Sequence, residues 1–368
     1  MNLSYWERKS WFTNVDFTII GSGIVGLNCA LHIKEKYPKA TVLLLEKGVL
    51  PQGASTKNAG FACFGSLSEI IDDLKSHTEQ EVVDLVRKRW QGLQLLRKKL
   101  GDKNIDFQQD GGYELFNDTT VFEECSDKKE TINRLLKPIF KENVFSFCTN
   151  KFGFSNIKET FAFNQYEGQL DTGKMMTLLL HLVLKSGVKI LNSTIVEDFE
   201  DVDNHVIVKL KNFEFNTKRL LIATNGFSNQ WVQEDIQPAR AQVLITKPIK
   251  NLHVKGSFHL EKGYYYFRNI DNRILLGGGR NLDFETEETT EFGMTKLILS
   301  KLEDVLKTTI LPTTIFEIDY GWSGIMGVGQ QKKAIVKKLS NNVACGVRLG
   351  GMGVAIGSLI GEDLAKLV

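Results

Sequence analysis

The stretch Asp16-Phe17-Thr18-Ile19-Ile20-Gly21-Ser22-Gly23-Ile24-Val25-Gly26-Leu27 constrains the fold of this chain more than any other. It reads as a buried strand, a tight glycine turn and a helix opening at Ile24. Gly21 permits the turn. Gly23 removes a side chain, so a pyrophosphate can approach the backbone through Gly21, Ser22 and Gly23. Gly26 lets helix and strand pack closely. The free N–H groups and positive dipole end of that helix then face phosphate. A G-x-G-x-x-G on its own is a weak signal. Here the next strand, Thr41-Val42-Leu43-Leu44-Leu45, ends at Glu46. That lies about twenty residues past the glycines, where a carboxylate must sit to accept the hydroxyls of an adenosine ribose. Strand, helix, strand and acid together predict a dinucleotide site.

The loop that follows, Lys47-Gly48-Val49-Leu50-Pro51-Gln52-Gly53-Ala54-Ser55-Thr56-Lys57-Asn58-Ala59-Gly60-Phe61, is long and rich in small residues. A nicotinamide dehydrogenase has no obvious need for it. A flavoprotein does, because the second phosphate, the ribityl chain and the flavin edge lie along such a loop. Lys47, Ala54, Ser55, Thr56, Lys57, Asn58, Ala59 and Gly60 are therefore candidate cofactor contacts; a flexible surface loop is the alternative. Further on, the apolar strand Leu220-Leu221-Ile222-Ala223 runs into Thr224-Asn225-Gly226. It returns the chain to the parallel sheet, and its small residues leave space beside the dinucleotide. Near the end, a short strand at Val343 to Val347 leads into Arg348-Leu349-Gly350-Gly351-Met352-Gly353 and a helix from Val354 to Leu367. That helix N-terminus is a second preformed site for negative charge. Placed near N1 and the C2 carbonyl of a flavin, it would stabilise the reduced state. A docking helix with a tight entry turn is the structural alternative.

Composition narrows the class. A chain of 368 residues predicts two domains or one large composite. A formal charge of +2 argues against a dedicated nucleic-acid or acidic-membrane binder. The five cysteines, Cys29, Cys63, Cys125, Cys148 and Cys345, are scattered and include no C-x-x-C pair. They read as reduced thiols of a cytoplasmic protein. No apolar run approaches the ~18 residues of a membrane helix, and the polar, aromatic start implies no signal peptide.

Helices are expected from Leu67 to Leu100, with a capping box at Ser76/Glu79 or Thr78/Glu81, and from Val121 to Leu136, ended by Pro138. Two more are expected: Lys174 to Lys185, capped by Asp171, and Glu291 to Leu306. Strands are expected at Gly111 to Phe116, Val188 to Leu191, Thr194 to Phe199, His205 to Leu210 and Ile315 to Tyr320. The aromatic tail Ser4 to Phe12 is expected to be pinned on the surface by its rings. The phenylalanine-rich stretch Phe140 to Phe163 is aperiodic and is expected to fold against the substrate side.

Taken together, these motifs resemble the D-amino-acid oxidase-like family of FAD-dependent amine oxidoreductases. That group holds glycine oxidase, sarcosine oxidase and gamma-glutamylputrescine oxidoreductase. The likeness rests on Ile19 to Gly26, Leu45-Glu46-Lys47, Gly53 to Gly60, Leu221 to Gly226 and Gly350 to Ala355, and its spacing covers nearly the whole chain. It implies an α/β fold: a discontinuous Rossmann-like FAD-binding domain at 1–85, 150–236 and 321–368, and a mixed or antiparallel-sheet substrate domain at 86–149 and 237–320. It implies cofactor contacts at Gly21, Ser22, Gly23, Ile24, Gly26, Glu46, Val196, Ala223, Thr224, Asn225, Gly226, Arg348, Gly350, Gly351, Met352, Gly353 and Val354. Val196 would meet the adenine through its backbone. It implies oxidation of the C–N bond of an amino acid or small secondary amine, by hydride transfer to flavin N5.

For substrate contacts, Arg348 is the first candidate, because members that oxidise amino acids place an arginine near this turn to fork a carboxylate. Arg240, at the mouth of the substrate domain, is the second. Tyr264 and Tyr266 share one face of a strand and could offer a phenol, with aromatic sheet packing as the alternative. Trp322 in Gly321-Trp322-Ser323-Gly324 completes the set. The sequence departs from sarcosine oxidase-type members twice. No cysteine lies near Gly324 to Met326, so non-covalent FAD is expected. No lysine lies near Leu275, so the acceptor is oxygen or another compound. Two other readings stay open: oxidation of an aminomethyl group on modified tRNA, and a protein that keeps FAD as structural ballast. No metal, nucleic acid or membrane span is expected.

Overall fold

A computed structural model of the chain describes residues 2–368. It contains two eight-stranded sheets. The first has the spatial order Ile335–Lys338, Val343–Val347, Phe213–Ile222, Val15–Ile20, Val42–Leu45, Lys189–Leu191. Val15–Ile20 runs parallel to both neighbours, with Ile19 opposite Leu221 on one side and Leu44 on the other. An antiparallel pair, Val196–Val202 and His205–Leu210, extends from Phe213–Ile222. Both faces of the central strands are covered, which is why they read as unbroken apolar runs. Ile19, Leu44 and Leu221 pack with Leu27, Leu96, Leu179 and Leu364 from the helices of one face. Ile20, Leu43, Leu45 and Ile222 turn the other way, onto Val206 and Phe215. That division follows from side chains alternating along a strand.

The second sheet has the order Ile318–Val328, Gln237–Thr246, Arg273–Gly278, Tyr265–Ile270, Ser257–Leu260, Gly112–Leu115, Thr160–Asn164, Phe145–Thr149. Only Ser257–Leu260 and Gly112–Leu115 pair in parallel; the other pairs are antiparallel, so the sheet is mixed. Its core is aromatic. Phe258 and Phe267 stack at 4.5 Å and 7°, with Phe152 and Phe154 edge-on to Phe258. The phenylalanine-rich stretch thus supplies both strands and core of this second sheet. A two-stranded ladder, Phe61–Ala62 against Gly168–Gln169, links the cofactor loop to this side.

The expected domain limits shift in three places. Thr160–Asn164 pairs with Gly112–Leu115, so it lies in the substrate sheet, not in the 150–236 dinucleotide segment. Ile318–Val328 pairs with Gln237–Thr246 as far as Val328, so the chain crosses back after 328 and not at 321. Helix Glu79–Leu100 packs on helix Gly353–Lys366 of the first sheet, close enough that a Cβ on Gly92 would stand 2.3 Å from the Ala355 carbonyl. Residues 86–100 therefore sit with the dinucleotide layer. Alternation and helical period read alike in either layer, and only long-range pairing assigns them.

Element ends also move. The expected 67–100 helix is two helices, Leu67–Asp73 and Glu79–Leu100, and Thr78 with Glu81 forms the capping box of the second. Pro138 does not stop its helix, which runs Thr119–Phe140 with Pro138 in the last turn. Helix Lys296–Val305 starts later than expected, and strand Ile318–Val328 starts later and runs further. In the tail, Phe12 is buried against Phe213 and Phe215, but Tyr5 and Trp6 are 66% and 70% exposed. Those two rings cover only each other and Lys9.

Candidate functional site

Both glycine turns open onto one cavity of about 1000 Å³. Gly21, Gly23 and Ile24 line it from the first turn, Glu46 and Lys47 from the end of the second strand, and Ala54, Ser55, Lys57, Asn58 and Ala59 from the long loop. Val196, the run Ala223 to Gly226, Arg348, and Gly350 to Val354 complete this wall. Tyr264 and Tyr266 face it from the second sheet. Ser22, Gly26, Thr56, Gly60, Arg240 and Trp322 stand behind the wall and support it.

The dinucleotide wall is built by close backbone approach. Gly21 holds φ at +103°, and a Cβ on Gly26 would stand 1.9 Å from the Gly21 carbonyl oxygen. A Cβ on Gly23 would stand 2.8 Å from Ser55 Oγ, which accepts the Ile24 N–H at 2.9 Å. Glu46 is buried. Its Oε2 accepts the Ser22 N–H at 3.1 Å and the Ser22 hydroxyl at 2.7 Å, and its Oε1 accepts the Gly48 N–H at 3.0 Å. A carboxylate offers about four lone-pair sites, so one stays open towards the cavity. Asn58 fixes the loop. Its amide donates to the Ser55 carbonyl at 2.7 Å, and its Oδ1 accepts the Gly60 N–H and the Thr172 hydroxyl at 2.9 Å each. Thr56 donates to the Pro51 carbonyl, and Trp322 Nε1 to the Lys57 carbonyl at 2.9 Å. Trp322 thus braces the loop instead of facing substrate. Asn225, at φ +48°, accepts the Leu349 N–H, and Gly350, at φ +59°, donates to the Gly327 carbonyl. Lys47 Nζ sits 3.5 Å from the Phe227 ring centroid, and burial pulls its pKa down against the opposing field of Glu46.

The two expected substrate arginines are not free. Arg240 forms a fork with buried Glu287, Nε to Oε2 at 2.9 Å and Nη2 to Oε1 at 2.8 Å. Those hydrogen bonds raise its pKa. The guanidinium of Arg348, a residue at φ +58°, turns away: Nε and Nη2 donate to the Lys333 carbonyl and Nη1 to the Asp235 carbonyl at 2.9 Å. Both charges serve the scaffold.

Other residues face the cavity instead. Arg280, at the end of Gly277-Gly278-Gly279, lines it half-buried, and its guanidinium makes no hydrogen bond or ion pair among the described residues. It lies 4.7 Å from the Phe284 ring, which in turn packs against Tyr264. Burial lowers its pKa. A glycine run ending a strand and followed by arginine was the available signal. Tyr264 is 40% exposed at a turn, Tyr265 points into the core, and Tyr266 packs edge-on to Phe61 at 5.5 Å, its pKa pushed up to about 12 by burial. His259 also lines the cavity and is bonded to Glu167. Burial opposes a charge on His259, but the field and hydrogen bond of Glu167 prevail and raise its pKa to about 9. At the rim, Lys262 meets Asp72 at 3.1 Å and Lys332 meets Asp73 at 2.5 Å, tying helix Leu67–Asp73 to two loops.

The donor set fits a flavin dinucleotide. Thr224 Oγ1 is buried on the cavity wall without a partner, Glu46 keeps one acceptor site, and two helix N-termini converge. The pattern of FAD dependent oxidoreductases (DAO) matches residues 16–367, and the chain belongs to that family. It is 23% identical to gamma-glutamylputrescine oxidoreductase of Escherichia coli strain K12 over 380 positions, covering 96% of this chain and 83% of that protein. Among solved structures, it superposes on L-proline dehydrogenase from P. horikoshii with a TM-score of 0.75 at 19% identity, covering 96% of this chain and 93% of that one. It superposes on glycine oxidase from Geobacillus kaustophilus with a TM-score of 0.76 at 14% identity, covering 96% and 94%. The protein is thus an FAD-dependent oxidoreductase with a Rossmann-like α/β fold. Among the described residues, no helix is long and apolar enough to cross a membrane.

Proposed function

We propose that the protein oxidises the C–N bond of an amine or amino acid to an imine, which water then hydrolyses to a carbonyl and an amine. Bound FAD supplies the hydride acceptor. The observation that carries this reading is the single cavity shared by the two glycine turns, by Tyr266 of the second sheet, and by Tyr264 and Arg280 just beyond its strand ends. Glu46, Ser55 and Thr224 hold the dinucleotide, Asn58 fixes the loop that carries Ser55, and the Gly350 to Val354 turn places helix N–H groups beside the cofactor. Arg280, whose guanidinium makes no hydrogen bond or ion pair among the described residues, orients an anionic group of the substrate. The names of the relatives, gamma-glutamylputrescine oxidoreductase and glycine oxidase, support an amine nitrogen beside the bond that breaks. FAD is held without a covalent bond, since Gly324 to Met326 carries no cysteine and burial pushes the cavity-lining Cys63 thiol well up, away from the thiolate. Five free cysteines support a reducing, cytoplasmic setting.

The test is anaerobic mixing of flavin-loaded protein with a panel of amines and amino acids, following loss of the flavin's visible absorbance. Bleaching by at least one amine is expected. A flavin that dithionite reduces but no amine does would sink the reading. Comparing oxygen with an artificial dye as reoxidant then separates oxidase from dehydrogenase.

A further inference from the structure

Cys63, Glu167 and His259 bring a thiol, a carboxylate and an imidazole to one point, with their donor atoms within 4.8 Å of one another and all three residues buried. The dinucleotide cradle uses none of them. Their meeting follows from the topology. In the small ladder Ala62 pairs with Gly168, so the next residues outward, Cys63 and Glu167, face each other across its end. His259 arrives from the middle of the second sheet, between Tyr266 and Glu114. Space for the carboxylate exists because residue 112 is glycine: a Cβ there would stand 2.1 Å from Glu167 Oε2. Ser257 donates its hydroxyl to Glu167 Oε1 at 2.9 Å, and the Phe61 ring stands edge-on to the imidazole at 5.3 Å. Such outer support is what orients metal ligands. A fourth donor is near: Met352 Sδ lies 3.9 Å from Cys63 Sγ.

We propose that Cys63, Glu167 and His259 form a binding site for one borderline-to-soft divalent metal ion of the Zn²⁺ class, with the Met352 thioether beside it. Thiolate and imidazole select such ions over Mg²⁺ or Ca²⁺. Donors on a tetrahedral Zn²⁺ sit about 3.4–3.8 Å apart, so side-chain rotations of about an ångström close the trio onto an ion. Bound as thiolate, carboxylate and neutral imidazole, the ligands carry the negative charge that a dication neutralises, so the occupied site leaves no net charge in the interior. Cys63, His259 and Met352 line the cavity while Glu167 does not, so the open coordination position faces the cavity.

The experiment titrates the flavin-loaded protein with Zn²⁺ alone against a metallochromic indicator. One equivalent is expected to bind. Cys63→Ser is expected to weaken binding about tenfold or more, while Cys148→Ser, remote from the trio, leaves it unchanged. Absence of stoichiometric uptake, or equal affinity in Cys63→Ser and wild type, overturns the site. Should Cys63→Ser fail to fold, Co²⁺ added to the wild-type protein decides. Tetrahedral d–d bands to the red of the flavin, with a thiolate charge-transfer band, support the site, and their absence overturns it. The readout is the metal itself, so failure here leaves the amine-oxidation reading untouched.

Discussion

The two walls of the cavity are held by different means. On the dinucleotide wall the backbone carries most of the shape: Gly21, Gly23, Gly26 and Gly350 sit where a side chain would collide or φ is positive, and Glu46 bonds to the two turns that hold Ser22 and Gly48. On the substrate wall side chains decide, and their partners come from distant parts of the chain. Arg240 is taken by Glu287 and His259 by Glu167, and on the dinucleotide side the one long side chain, Arg348, is likewise taken by the distant carbonyls of Asp235 and Lys333. Backbone sites are specified by local spacing. Side-chain sites depend on which residues the long-range fold brings together.

The largest test of this contrast is Arg240→Ala. It leaves Glu287 buried and unpaired, which costs roughly 3–5 kcal/mol, read as a shift of the urea unfolding midpoint. A stable Arg240→Ala protein impaired only in substrate affinity would put a free arginine back on the substrate wall.

A smaller effect is expected from the buried ion pair. The pKa of His259 rises from 6.5 to about 9 on folding. A raised pKa means that the folded state holds its proton more tightly. The stabilisation is therefore fully present below pH 6.5 and is lost as pH rises through 9, on the order of 1–3 kcal/mol. Thermal midpoints of the wild type, kept metal-free with a chelator, are expected to fall across that window, and those of His259→Gln to stay level from this source. Parallel curves for the two proteins would mean that His259 is neutral in the fold.

On the opposite wall, Glu46→Gln keeps shape but loses charge. Charge-assisted hydrogen bonds are worth roughly 1.5–3 kcal/mol, so FAD affinity is expected to fall about tenfold or more by fluorescence titration of apoprotein. Unchanged affinity would show that Glu46 serves Ser22 and Gly48 alone. The smallest expected change is in Arg280→Gln: stability within about 0.5 kcal/mol of wild type, FAD retained, and the apparent KM for carboxylated amines up about tenfold with amines lacking an anionic group little affected. Equal loss for both substrate classes would remove Arg280 from recognition.

Legibility in the sequence follows the same divide. The strand–turn–helix at Asp16 to Leu27, the acid at Glu46, the Asp171 cap and the turn at Arg348 to Gly353 could all be read from spacing, because glycine and capping rules act over a few residues. The alternation of Tyr264, Tyr265 and Tyr266 between cavity and core was likewise readable. The fates of Arg240 and Arg348 were not. Nothing at residue 240 reveals a carboxylate at 287, and a guanidinium beside a glycine turn looks the same whether it faces ligand or backbone. The sheet assignment of Thr160–Asn164 and of Ile318–Val328 was hidden for the same reason: a strand's own residues carry its period and not its partner.

The strand order of the first sheet has a consequence for synthesis. Val15–Ile20 is made early, yet its neighbour Phe213–Ile222 waits for Val343–Val347, and helix Ile24–Lys36 waits for Gly353–Lys366, whose Gly361 packs against the Val25 carbonyl. A nascent chain therefore emerges with its nucleotide turn formed in sequence but unsupported in space. Tight FAD binding is therefore expected only once the far end of the chain, which supplies the Gly350 to Val354 part of the cavity wall, has been made.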